Sequence, residues 1–484
     1  MSGDDVWVGF DVGTQGARAL AVCGDGRVLG RDEVALRGRR EGARHEQDPL
    51  AWWESIAAAS HGALRGVAPG RVRGVATCAT SGTILLVDAD GEPLTPGLMY
   101  DDARAVAQAA RAAMPASWAL PKLLWMLEDR PELACGARVA HQADVITRRL
   151  VGHEVPADSS HALKTGYDVE HERWPDLGLP DALLPEVVRP GTVLGEVCTS
   201  AAALTGLPQG TPVVAGMTDG CAAQLAAGAV REGCWSSVLG TTLALKGCSA
   251  RPLRDDAGVL YNHRSPDGSW LPGGASSTGA GVLTSTFPGR DLDELGELAV
   301  SHEATKVLAY PLVSRGERFP FAAAEAEAFM IGEPSGDGER FAALLQGVAL
   351  VERLCFDYVD LLGGPAVREL TLTGGATRSR RWSQLRADVL GHPVRLVEQP
   401  DAAFGMAVLA AAASPAAAAG GAGIAQAVSA MVRARELIEP RAGDAAHLTG
   451  QYLRLVEELR WRGWLGAALA EHARLRAAQG SAAS

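Results

Sequence analysis

The stretch Val6-Trp-Val-Gly-Phe-Asp-Val-Gly-Thr-Gln-Gly-Ala-Arg-Ala-Leu-Ala-Val22 governs the reading of the whole chain. Apolar residues run into Asp11, small and polar residues follow, and a second apolar run leaves after Arg18, the pattern of strand, tight turn and strand. Gly13 and Gly16 let the backbone approach a bulky anion, and Thr14 adds a hydroxyl and an N–H donor. Asp11, at the mouth of the turn, repels phosphate, so its natural partner is a bridging Mg2+ or a substrate hydroxyl. An ordinary hairpin with a polar turn fits the stretch equally well. The rest of the chain has to decide.

The 484 residues leave room for two sizeable domains and an appended tail. Hydrophobic residues make up 47% and charged residues 21%, the balance of a globular protein with a large core. A formal net charge of -12 argues against broad binding to nucleic acid or an anionic membrane, while leaving room for a local phosphate pocket. The eight cysteines (Cys23, Cys78, Cys135, Cys198, Cys221, Cys234, Cys248 and Cys355) contain no C-x-x-C pair. That spacing argues against zinc and a disulfide scaffold, and reduced thiols in a cytoplasmic protein are the expectation. The acidic opening residues lead straight into a strand, which reads as no signal peptide, and no run of about eighteen apolar residues marks a membrane span.

Taken in order, the chain predicts a third strand over Arg31–Leu36, a helix over Pro49–Val67 ended by Pro69-Gly70, and strands over Val72–Ala79 and Ile84–Asp88. Strands alternating with helices indicate an α/β fold, and Thr80–Thr83 sits at a strand end where ligand groups collect. Tyr100-Asp101-Asp102 with Arg104 reads either as an acidic helix start or as a sugar contact. Pro156 to Pro190 is loop-rich, and His161 within it reads as a structural histidine. At Thr218-Asp219 a helix of small residues opens, and capping alone could explain both residues.

Trp235-Ser-Ser-Val-Leu-Gly-Thr-Thr-Leu-Ala-Leu-Lys246 then repeats the opening plan without its aspartate. Two such hairpins indicate duplicated domains, and two Gly-Thr turns could grip one polyphosphate. Gly273 to Gly281 reads as a Gly-rich turn before a helix, and Arg340 to Leu362 as a long helix. Leu370–Thr373 reads as a buried strand leading through Gly374-Gly375-Ala376-Thr377-Arg378-Ser379 into a helix, where paired glycines suit a flat ring or phosphate. The last sixty or so residues read as Ala-rich and helical, with a break at Gly420-Gly421 and a soft end at Ser484.

In this order, these stations resemble the FGGY family of carbohydrate kinases, in the actin/hexokinase superfamily. Asp11 to Arg18 is similar to the first phosphate motif, Val238 to Thr242 to the second, and Leu372 to Ser379 with Trp382 and Ala387-Asp388 to the adenosine motif. Ala402-Ala403-Phe404-Gly405 resembles the closing turn beside it. The resemblance implies an α/β fold of two ribonuclease-H-like domains with an interdomain cleft. The expected division is 1–230 (sugar site and base), 231–415 (nucleotide site) and 416–484 (Ala-rich helical extension). The implied reaction moves the γ-phosphoryl group of ATP to a terminal hydroxyl of a ketopentose. Asp219 stands where the family has its catalytic base, and Asp11, Ser81 and Asp219 are the expected sugar contacts. ATP would meet Gly13, Thr14, Gln15, Arg18, Gly240, Thr241, Thr242, Gly274, Gly374, Gly375, Ala376 and Ser379, with Asp11 holding Mg2+.

Bacterial xylulokinases carry a Gln-Met-His-Gly stretch at the sugar site, where this chain has Ala79-Thr80-Ser81-Gly82. Thr80–Thr83, His161–Lys164 with Gly166–Asp168, Ser314–Pro320 and Tyr100 instead resemble the cyanobacterial and plant xylulokinase-like branch, whose members phosphorylate D-ribulose. D-ribulose is therefore the expected substrate, with D-xylulose or another polyol as the alternative. A non-transferring ATPase or sugar-binding regulator ranks lower. The expected partners are a small-molecule sugar and ATP, without nucleic acid or membrane, and a homodimer is left open.

Overall fold

The computed structural model describes residues 4–414 and 423–482, which form two compact units. Unit 1 is Met1–Val230, His263–Ser269 and Gln399–Arg433, and unit 2 is Arg231–Asn262, Trp270–Glu398 and Ala434–Ser484.

In unit 1, Val6–Val12, Gly16–Cys23 and Val28–Ala35 form an antiparallel run. Val72–Ala79 lies parallel to the first strand, Pro212–Val214 parallel to Val72–Ala79, and Val193–Glu196 closes the six-stranded sheet antiparallel. Every residue of Val6–Val12 is buried, because both faces of this central strand are covered. Val6, Val8, Phe10 and Val12 share a core with Trp52 and Ile56 of the helix Pro49–Ala63. That helix starts where Asp48 accepts from the Leu50 amide at 3.0 Å and Pro49 takes the first turn, and it stops at Ala63, short of the sequence expectation. On the opposite face, a Cβ at Gly9 would stand 1.7 Å from the Ala403 carbonyl oxygen, so the helix Ala402–Ala412 lies backbone against backbone on the strand. At Gly405 the same helix meets the Ala222 carbonyl oxygen, 1.9 Å from where a Cβ would sit.

Unit 2 repeats the plan. Cys234–Leu239, Leu243–Gly247 and Trp270–Ser276 are antiparallel neighbours, Glu369–Thr373 is parallel to the first and Val394–Val397 to it, and Ala434–Ile438 closes antiparallel. Tyr261–Arg264 adds a seventh strand. The helix Asp337–Leu361 supplies most of one core layer, and on it Glu352 holds the buried Arg386 at 2.7 and 2.8 Å.

Three expectations differ from this architecture. The helix Ala402–Ala412, assigned by sequence to the second domain, packs in unit 1, because its alanines and Gly405 allow close contact with Val6–Val12 and Asp219–Ala226. The presumed all-helical extension contributes the edge strand Ala434–Ile438 to the sheet of unit 2, followed by helices Ala445–Trp461 and Ala467–Ala482. Gly273 to Ser276 belongs to a strand rather than a turn. The Gly420-Gly421 break and Ser484 lie outside the described residues. Among the described residues, no helix is long and apolar enough to cross a membrane.

The backbone approach at Gly405 makes a direct prediction. Gly405→Ala should destabilise the protein by about 1–3 kcal/mol in urea unfolding. Gly70→Ala, where nothing lies within 4 Å of the added Cβ, should leave stability unchanged; equal behaviour of the two would refute the close-packing account.

Candidate active site

The opening turn of unit 1 is held from several sides. The Gly13 amide donates to the Gly16 carbonyl at 3.0 Å, and the Leu36 amide to the Gln15 carbonyl at 2.9 Å. Gln47 Nε2 donates to the Thr14 carbonyl at 2.7 Å, and Trp52 Nε1 fixes Gln47 Oε1 at the same distance. Thr14 is half-buried and Gln15 exposed, so a fixed backbone presents both to a ligand.

Asp11 ends the central strand and is 6% exposed. Its Oδ2 accepts from Arg18 Nη1 at 3.0 Å, and the second arm of Arg18 pairs with Glu33 at 2.9 Å. The buried Cys78 thiol stands 3.6 Å from Asp11 Oδ1. Burial first, and the Asp219 charge second, push the Asp11 pKa up to about 6 against the pull of Arg18.

Asp219 is brought beside Asp11 by the sheet. Val12 pairs with Ala79, and Ala79 bridges Thr218, so the helix Asp219–Ala226 starts at the carboxyl ends of the parallel strands. Thr218 occupies the N-cap position, but its side chain makes no capping bond; instead its amide donates to Ser160 Oγ at 2.9 Å. Side-chain capping therefore does not explain Thr218, which is held through its amide instead. Asp219 is half-buried and accepts from the Gly220 amide at 2.7 Å.

Ser81 follows Ala79 by two residues, and its buried hydroxyl has no protein partner. Around it, Gln142 Oε1 accepts from the Thr80 amide at 3.2 Å and the Thr80 hydroxyl at 2.7 Å. Lys164 Nζ donates to the Ser81 carbonyl at 3.1 Å. Lys122 Nζ donates to the Gly82 carbonyl at 2.6 Å and the Met99 carbonyl at 2.8 Å, tying this turn to the Tyr100 loop. Burial lowers the Lys122 ammonium to about 7, against the charge of Asp102. The Asp101-Asp102 cluster is not a helix start, since the helix begins at Val106; Asp102 is buried, accepting from the His45 amide at 2.7 Å and from Arg104.

Unit 2 assembles the other predicted residues. The Gly240 amide donates to the Thr242 carbonyl at 3.1 Å, and the Ala280 and Gly281 amides to the Gly240 and Thr241 carbonyls at 2.9 and 3.1 Å. Nothing lies within 4 Å of a Cβ at Gly240, and Thr241 is exposed. Gly374 has a φ of 87°, and a Cβ there would stand 2.5 Å from the Leu239 carbonyl oxygen, so this glycine-rich turn abuts the hairpin of Cys234–Leu239 and Leu243–Gly247 in the same unit. Gly375 is exposed, Ala376 buried, and Ser379 caps the next helix by accepting from the Trp382 amide at 3.2 Å. Gly274 stands apart: it pairs with Leu245 inside a strand, and the Phe319 ring fills the place of its side chain, so packing explains this glycine.

Sequence reasoning missed several supports. Lys122 lies in the helix Ala119–Asp129, where a lysine in an otherwise apolar run was the available signal, and Gln142 opens the helix Gln142–Val151. Glu317 lies within Ser314–Pro320 and accepts from Ser276 Oγ at 2.9 Å, the Ser277 amide at 2.7 Å and Tyr310 OH at 3.0 Å. It thereby fixes the segment that packs on Gly240 and Thr241.

A duplicated sheet with a Gly-Thr turn at the head of each copy defines the actin/hexokinase class of α/β proteins. Residues 6–115 and 106–226 match the N-terminal domain, and residues 235–414 the C-terminal domain, of the FGGY family of carbohydrate kinases. The chain belongs to that family. It is 29% identical to a xylulose kinase of Streptomyces coelicolor over 423 residues, 81% of this chain and 84% of the relative. An apulose kinase of Pectobacterium atrosepticum is 25% identical over 428 residues, 80% and 85% of the two chains. The solved xylulose kinase from Rhodospirillum rubrum superposes with a TM-score of 0.81 at 27% identity, covering 94% of this chain and 99% of that one.

FGGY sugar kinases use ATP with Mg2+. Among the described residues, no group of three or more His, Cys, Asp or Glu could hold a metal unaided. The Asp11 carboxylate beside the Asp219 charge still suits Mg2+, which takes one or two carboxylates and fills its shell with water and phosphate oxygens.

The raised Asp11 pKa has a stability consequence of definite sign. The folded state binds this proton more tightly than the unfolded chain, so ionising Asp11 costs stability as pH rises from about 4 through about 6. Asp11→Asn, without ligands, should therefore be more stable than the native protein at pH 7.5, by about 3 kcal/mol, with the gain vanishing below about pH 4. Thermal unfolding across that range checks it; a variant less stable at pH 7.5 would count against the buried charge.

Proposed function

We propose that this protein is an ATP-dependent pentulose kinase, acting on D-xylulose ahead of D-ribulose. The observation that carries the reading is that the Asp219 charge acts on Asp11 at the strand ends, with the unpartnered Ser81 hydroxyl two residues beyond the Ala79 that bridges Thr218. The similarity to xylulose and apulose kinases favours a pentulose and ranks D-xylulose above the D-ribulose first expected. The specific feature that keeps D-ribulose as the second reading is Ala79-Thr80-Ser81-Gly82 in place of Gln-Met-His-Gly. The two sugars differ in the configuration of one carbon, so a single hydroxyl contact can separate them.

In this mechanism Asp219 accepts the proton of the sugar's terminal hydroxyl as its oxygen attacks the γ-phosphorus. Ser81 binds a sugar hydroxyl, and Lys122 and Lys164 hold its turn in place. Thr14 and Thr241 offer donors to the phosphates, the open space at Gly240 lets them approach, and the exposed Gly375 leaves room for the nucleoside. Arg18 keeps Asp11 oriented and ionised, ready to hold Mg2+. Bound Mg2+ would supply charge neutralisation for the phosphates. With positions this constrained, catalysis is mostly alignment and electrostatics.

A panel of pentuloses and polyols assayed for ADP release tests the assignment. D-xylulose should give the highest kcat/KM; a higher value for D-ribulose would establish the second reading, and sugar-independent release would remove the kinase assignment. Asp219→Ala should lower turnover at least about 1,000-fold while nucleotide binding persists, and near-native turnover would exclude it as the base. Ser81→Ala should raise the apparent KM for the sugar about tenfold with little change for ATP; an unchanged sugar KM would exclude Ser81 from the site.

A further inference from the structure

One short segment of unit 1, Asp158 to Thr165, touches both the candidate sugar turn and the start of the base helix. It comprises the helical turn Ser159–Ala162 and the tighter turn Leu163–Thr165. Asp158 is its anchor: Oδ1 accepts from the Ser160 amide at 2.9 Å, the Ser160 hydroxyl at 2.5 Å and the His161 amide at 3.1 Å. With its own proton committed to Asp158, the Ser160 hydroxyl accepts from the Thr218 amide at 2.9 Å, immediately before Asp219. The His161 ring spans Asp158 Oδ2 at 2.5 Å and the Ala79 carbonyl at 3.3 Å. Both partners are acceptors, so both ring nitrogens donate, and the ring is an imidazolium. Burial alone would lower its pKa, but the Asp158 carboxylate overrides burial and holds it at about 8.

The same segment reaches the sugar turn twice. Lys164 Nζ donates to the Ser81 carbonyl at 3.1 Å. Thr165 Oγ1 contacts His141 Nε2 at 2.9 Å, and the next residue, Gln142, holds Thr80. Ser160, His161 and Thr165 are all buried, so these bonds form away from competing water.

We propose that Asp158 to Thr165 is a positioning element that sets the sugar turn Thr80–Thr83 against the base helix, with Ser160 aligning Asp219 and Lys164 aligning Ser81. This rests on the pentulose kinase reading of the site. The two arms then separate kinetically: one governs the geometry of proton removal, the other the geometry of sugar binding. Phosphoryl transfer is sensitive to such alignment, since a displacement of about 1 Å can cost about 100-fold in rate.

The test compares Ser160→Ala, Ser160→Thr and Lys164→Met in the full chain, with saturating ATP and the best pentulose. Ser160→Ala should lower kcat about 10- to 100-fold, with the KM for sugar and for ATP moving less than about threefold. Ser160→Thr, which keeps an oxygen able to accept and donate, should recover most of kcat. Lys164→Met should raise the sugar KM about five- to tenfold with kcat within about threefold of native. Native-like kcat in Ser160→Ala, or matched changes of kcat and KM in both positions, would overturn the proposal. If Ser160→Ala does not fold, the half-buried Lys164→Met decides, and an unchanged sugar KM overturns it. Failure of the native chain to turn over any pentulose counts against the functional reading alone; the same comparison on whichever polyol it does phosphorylate then judges the segment.

Discussion

Asp11 is a carboxylate buried at the end of the central strand, within the field of a second carboxylate, Asp219. Burying such a group is costly unless it is paired, and the surrounding structure is arranged to supply that pairing. Arg18, on the neighbouring antiparallel strand at the position opposite Asp11, gives one hydrogen bond and is itself steadied by Glu33. The remaining imbalance is left in place, as the upward shift of the Asp11 pKa records. Strained electrostatics of this kind gather where a positively charged ligand or a proton transfer belongs.

The duplicated sheet shows how one topology can serve two chemistries. In unit 1 the strand end carries Asp11, paired in register with Cys78; the matching position of unit 2 is Val238, paired with Thr373. Unit 2 thus offers Gly-Thr backbone donors without a carboxylate beside them, which suits phosphate oxygens. Unit 1 combines such a turn with two carboxylates, which suits a hydroxyl that must lose its proton. In both units the turn is stiffened from behind, by Gln47 and Trp52 in one and by the Glu317 network in the other. Membership of the FGGY carbohydrate kinases accords with this division.

Much of this was legible residue by residue. Val72–Ala79 is a strand with the bounds its apolar run predicts, and the hairpin at Trp235 echoes the one at Val6, because alternation and glycine turns are local signals. Gly274 was misread because a glycine in a strand, emptied to admit the Phe319 ring, looks in sequence like a glycine in a loop. The Ala402–Ala412 helix falls within the C-terminal family match, yet it packs in unit 1, for a related reason. A run of alanines says that something packs close, but not which backbone it meets.

By itself the sequence determined most of the element types, the two Gly-Thr turns and the presence of Asp11 and Asp219. These follow from periodicity, turn chemistry and spacing, which act over a few residues. Tertiary structure alone decided that Lys122 joins the Gly82 and Met99 carbonyls, that Ser160 holds the Thr218 amide, and that the Ser81 hydroxyl is left without a protein partner. Those contacts join residues 23 to 58 positions apart, or consist of a bond not made, and neither leaves a mark on local sequence. They depend on where buried polar groups find partners once the chain has closed around them.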